Sequence, residues 1–137
     1  MTDKSEAGNC IIWSDANRFE QTLHQLKDDG FYVIEFECRG SVIELFREFK
    51  QKLPLDPPIS GNVNWDAFTD SLWSGINDLE NDLVALVWRD AWKLRQADNP
   101  SFEIAQEVLS TVACQLTAGA YGASRRKVVR VILVQET

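Results

Sequence analysis

Two carboxylates, Asp66 and Asp70, stand four residues apart in the stretch NWDAFTDSLWSGINDL, which runs from Asn64 to Leu79. On a helix that interval puts both on one side, near enough to share a ligand. A carboxylate pair can act as acid and base in hydrolysis, provided its surroundings push the two pKa values apart. Here both fall on a face expected to meet water, and no histidine is near. The sequence also lacks a glycine-rich phosphate loop, a G-x-S-x-G elbow and a cluster of metal-ligand residues. The expectation is a protein that is not an enzyme, with no catalytic residue, no metal and no cofactor. Fixed negative charge beside the flat apolar side chain of Trp73 is instead the chemistry of a surface that receives a cationic protein. The two anions repel by about 0.2–0.5 kcal/mol on an isolated helix, a cost that a cation meeting both outweighs. Taken alone, a solvated acidic face is the plainer reading of the pair, because exposed acid is common.

A helix has to hold this pair. Asn64 is a good N-cap, its side-chain oxygen placed to accept from an orphan amide of the first turn, and Pro57, Pro58 and Gly61 suit a loop before it. The helix is predicted from Trp65 to about Leu79. Its 3.6-residue period aligns Trp65, Phe68, Leu72, Ile76 and Leu79 as a core stripe, with Asp66, Asp70, Trp73 and Asn77 on the neighbouring one.

Phe31 to Cys38, FYVIEFEC, is rich in aromatic and β-branched residues and reads as a strand. Gly40 and Ser41 turn it into a helix with Val42, Leu45, Phe46 and Phe49 at core spacing, ending before Pro54. After the acidic helix comes LVALVW, Leu83 to Trp88, whose lack of polar alternation predicts a central strand covered on both faces. Arg89, Asp90, Trp92, Lys93 and Arg95 follow in a short helix or turn, with Trp88 and Trp92 read as packing residues. Asn99-Pro100-Ser101 breaks and caps a helix to about Leu116, with Phe102, Ala105, Val108, Leu109 and Val112 inward. A loop with Gly119, Gly122 and the basic run Arg125, Arg126, Lys127 leads to the last strand, Val128 to Val134. Ahead of all this, Cys10 to Trp13 reads as a possible extra strand. Ser14 and Asp15 offer capping for a helix to about Lys27, with Phe19, Leu23 and Leu26 buried and Gly30 as its stop. His24, the single histidine, belongs to that helix as a surface or packing residue. Strands alternating with helices predict an α/β domain with a largely parallel sheet, in two or three layers.

At 137 residues, 45% apolar and 26% charged, the chain suits one soluble globular domain. No apolar run reaches the roughly 20 residues of a membrane span, and residues 1–9 read as a disordered tail without the apolar core of a secretion signal, so a cytoplasmic protein is expected. Three cysteines at wide spacing fit neither a disulfide framework nor a zinc site and are expected as buried thiols. A net charge of −7 disfavours nucleic acid and favours basic protein partners.

The string NWDAFTDSL, preceded by Leu53-Pro54 and Gly61 and followed by LVALVW and Arg89, resembles the barstar family of intracellular ribonuclease inhibitors. The match runs in order from about Phe31 to about Leu133. The resemblance implies a three-stranded parallel sheet with helices packed around it over residues 31–137, leaving 10–30 as a strand and helix extension. It also implies a protein that blocks the active site of a basic ribonuclease with this helix and the loop before it, without touching nucleic acid or membrane. By position, Asp66 and Asp70 match the family's acidic contacts, Asn64 its loop-to-helix asparagine, and Gly61 falls in its contact loop. Thr69 stands where the family has an aromatic residue, and Trp73 is read either as an aromatic anchor from a shifted place or as a partly buried packing residue. The family's acidic contact on the next long helix falls near Glu107, out of register, or at Thr111. The altered loop, ISGNV, leaves room for an immunity protein of the same fold against a different toxin, or for a non-inhibitory interaction domain.

Overall fold

The computed structural model describes residues 10–38, 40–53, 64–119 and 127–135. Within them lie four strands, β1 (Ile11–Asp15), β2 (Tyr32–Phe36), β3 (Leu83–Trp88) and β4 (Val128–Gln135). The five helices are α1 (Phe19–Asp28), α2 (Val42–Lys52), α3 (Trp65–Asn77), α4 (Ala91–Ala97) and α5 (Asn99–Ala118). The strands make one parallel sheet in the order β1-β4-β3-β2. The expected sheet of three strands is therefore a sheet of four: Ile11 pairs with Val131 and Asp15 with Gln135, so the apolar run after Cys10 joins the edge of β4. The expected tail, residues 1–9, lies outside the described residues.

The apolar run LVALVW is central for the reason its composition suggests. Val84, Leu86 and Trp88 face the larger core built with α2, α3, α4 and α5, while Ala85 and Val87 face a smaller one closed by Phe19, Leu23 and Leu26 of α1. Because strand side chains alternate, a strand covered on both faces has no polar side. The architecture is three layers, with α1 alone on one face. Trp88 is fully buried and Trp92 packs against the α1 core, both as packing residues. His24 is exposed on α1, 4.0 Å from Asp28.

Two caps differ from expectation. Ser14 and Asp15 do not cap α1, because β1 runs through them; Asp15 Oδ1 instead accepts from the Arg18 amide at 2.9 Å and closes the turn into the helix. At α5 the cap is Asp98, whose carboxylate accepts from the Ser101 amide at 3.2 Å, with Pro100 in the first turn. Gly30 stops α1 as expected. Ser41 accepts from Glu44 at the start of α2, and Gly30 and Gly119 follow α1 and α5 with φ of 91° and 72°, a region that favours glycine.

The β2 edge is closed by α2. Lys52 Nζ donates to the Glu35 carbonyl at 2.6 Å, and Glu48 Oε1 accepts from the Glu37 amide at 3.2 Å, so side chains satisfy groups that would otherwise template another strand. Arg89 spans this region, 3.5 Å from Glu35 and 3.9 Å from Glu37, with its guanidinium over Phe19.

Candidate functional site

Helix α3 is oriented by its aromatic side. Phe68 stacks on Phe46 with ring centroids 4.4 Å apart and meets Phe49 edge-on at 5.3 Å, while Trp65 meets Phe46 edge-on at 5.1 Å. Phe68, Leu72 and Ile76 are buried, and Trp65 and Leu79 pack against the same core from its margin. Each fully buried side chain of this size contributes about 1.5–3 kcal/mol, so the helix cannot roll about its axis. Asp66 and Asp70 of the neighbouring stripe are thereby held outward, while Trp73 packs against the margin of the core.

Asn64 caps α3 as expected. Its Oδ1 accepts from the Ala67 amide at 3.1 Å and its carbonyl from the Phe68 amide at 3.0 Å. Asp66, in the first turn, and Asp70 are both exposed, and neither forms an ion pair with a described residue. Asp66 lies where the positive end of the helix dipole favours an anion, and Asp70 benefits less. Thr69 is half-buried, and its hydroxyl donates to the Trp65 carbonyl at 2.7 Å. Trp73 is half-buried, its indole nitrogen enclosed without a hydrogen-bond partner among the described residues. Gly61 and the loop ISGNV lie outside the described residues.

Thr69, Asp70, Trp73 and Ser74 form one wall of an open cleft of about 390 Å³, and Gln115 of α5 forms the other. Glu107 and Thr111, the two sequence candidates for a contact from the long helix, are exposed two turns and one turn earlier on α5 and do not line it. The sequence holds a partial signal for Gln115, because residues 107, 111 and 115 recur at the helical interval of four. The cleft thus brings together one carboxylate, the edge of an indole, a neutral amide and small hydroxyls. It can hold a cationic or hydrogen-bonding side chain of a partner.

Below α3 the chain is pinned. Lys127, 1% exposed, donates from Nζ to the carbonyls of Leu79 and Asn81, each at 2.6 Å, and so fixes the turn from α3 into β3. The last residue of the basic run is therefore a buried clamp. Asp90 is also buried. Its Oδ1 accepts from the Cys38 amide at 2.8 Å, tying the loop after β3 to the loop after β2, and desolvation raises its pKa. Burial likewise raises the pKa of the Cys38 thiol, whose Sγ donates to the Ser41 carbonyl at 2.9 Å. Among the described residues no group of His, Cys, Asp and Glu could hold a metal ion, and no helix is long and apolar enough to cross a membrane.

Fold and helix together define a three-layer parallel α/β domain that turns an anionic helix face to solvent. More particularly, the chain belongs to the Barstar (barnase inhibitor) family, whose model matches residues 31–134. Proteins of this family are inhibitors that bind ribonuclease. No match was found among curated proteins or among solved structures. Residues 10–30 precede the matched range, yet they supply β1 and α1, one edge strand and one whole layer of the fold.

Proposed function

We propose that this protein binds the active site of a basic ribonuclease through α3 and the loop before it, inhibiting by steric occlusion and by presenting carboxylates where the enzyme holds RNA phosphate. Family membership supports the inhibitor class. The observation that carries the particular surface is the exposure of Asp66 and Asp70 on a helix locked by its aromatic side, with no described cation neutralising either. A net charge of −7 favours encounter with a basic enzyme over long range.

One feature favours a second reading, an immunity protein of this fold directed at a different toxin. The wall opposite Asp70 is the neutral Gln115, and the aromatic residue of the cleft is Trp73. A target whose facing group is a neutral donor fits such a wall as well as a cation does.

The test is RNA hydrolysis by barnase, and by other basic microbial ribonucleases, with and without the purified chain, alongside surface-binding kinetics. The first reading expects stoichiometric inhibition and an association rate that falls as ionic strength rises through the range where the screening length drops below about 10 Å. Asp70→Ala should weaken binding by at least about 2 kcal/mol, roughly thirtyfold, a range to which the barnase–barstar pair itself contributed. Full hydrolysis by every enzyme in the series favours the second reading. Inhibition indifferent to both salt and Asp70→Ala overturns the proposed surface.

A further inference from the structure

The layer that contains α5 sets two of the three cysteines against each other. Cys38 is buried and its thiol is engaged by the Ser41 carbonyl, whereas Cys10 and Cys114 are both partly exposed. The Cys10 side chain is within hydrogen-bonding reach of Cys114. The topology explains why. Helix α5 crosses from β3 back to β4 and so runs against the direction of the strands. Phe102, Gln106, Ser110 and Cys114 fall on one line of it at intervals of four. The first two members of that line border Trp13, whose ring lies 6.0 Å from that of Phe102. Moving back along β1 from Trp13 is moving forward along α5, and the last member of the line meets Cys10. Both partners are fixed, β1 by its ladder to β4 and α5 by Thr117, whose hydroxyl accepts from the Val129 amide at 3.0 Å.

We propose that Cys10 and Cys114 are an oxidation site at which an intramolecular disulfide fastens β1 to α5 when the chain meets a small disulfide such as oxidised glutathione. This site is independent of the ribonuclease reading. The first attack falls to the Cys114 thiolate, which displaces one glutathione thiolate and leaves a mixed disulfide on Cys114. Cys10 then loses its proton and attacks the Cys114 sulfur, expelling the second glutathione. Two protein thiols are oxidised to one disulfide, and one glutathione disulfide is reduced to two glutathione molecules. Burial raises the pKa of the Cys10 thiol, so the second step accelerates as pH rises. The link closes nearly the whole span from β1 to the end of α5, a loop long enough to stabilise the fold substantially.

The full chain is incubated with oxidised glutathione and analysed without reductant by intact mass, peptide mapping and thermal melting. The expected result is loss of two hydrogens per chain and a peptide joining the Cys10 segment to the Cys114 segment. The melting midpoint should rise by roughly 5–15 °C, and Cys38 should remain a thiol. Cys10→Ser and Cys114→Ser should each abolish the link and the rise while retaining the circular dichroism of the parent. Stable glutathione adducts on Cys10 or Cys114, a covalent dimer, or a link that includes Cys38 would overturn the assignment.

Discussion

Asn64 shows how much a single side chain settles at this site. Its oxygen closes the first turn of α3 and fixes where the helix begins, and with it the angular position of Asp66 and Asp70. Asn64→Ala should cost about 1 kcal/mol, read as a fall of about 3–4 °C in melting midpoint. Asn64→Asp, which keeps the cap, should restore most of it. Recovery of neither stability nor binding by Asp would mean that the cap is not what the residue contributes. The cap is legible in the sequence because capping is local chemistry, decided by the residues of one turn. Nothing comparable distinguishes Gln115 from Glu107 and Thr111 on its stripe, because which turn of α5 faces Asp70 depends on how far the two helices are offset along their axes. No residue type encodes that offset.

At the scale of elements, composition alone places the central strand, whereas strand pairing overrides local capping chemistry. LVALVW reads as central because it has no polar side, and it is central. Ser14 and Asp15 carry good capping chemistry, yet the ladder to β4 extends through Asp15 and takes those residues into the strand. Asp90 is a second case in which packing overrides type. An aspartate after a strand reads as a turn residue, but here it is buried and bridges two loops through the Cys38 amide. Its pKa is raised in the fold by desolvation, so the native state holds this proton more tightly than the unfolded chain does. The contribution to stability is therefore full below the unfolded value of 3.8 and is lost as pH rises from there through the raised native value. Asp90→Asn keeps an oxygen for the Cys38 amide and removes the ionisation, so chemical denaturation should show a flatter pH dependence in that window and undiminished stability at pH 7. Asp90→Ala leaves the amide unpaired and should cost about 1–3 kcal/mol. An unchanged pH dependence in Asp90→Asn would rule out the desolvated carboxylate as its source.

Across the whole molecule, residues 10–30 act as part of the fold although they lie outside the family match. Helix α1, with Phe31 and Trp92 at its margin, covers the face that carries Ala85, Val87, Ile132 and Val134. A chain beginning at Phe31 exposes that face and the β4 edge together, an apolar surface beside unpaired backbone groups. It should sediment as larger species or melt at least 10 °C lower, and a monomeric truncation of parental stability would show that the layer is dispensable. The sequence by itself determined the α/β alternation, the central strand, the acidic helix and its cap, because each rests on periodicity or on chemistry within one turn. Tertiary structure alone decided that the sheet has four strands, that Lys127 is a buried clamp, and that Cys10 meets Cys114 and Asp70 faces Gln115. Those are contacts between segments far apart in the chain, and their geometry is fixed by how layers stack and helices slide against one another.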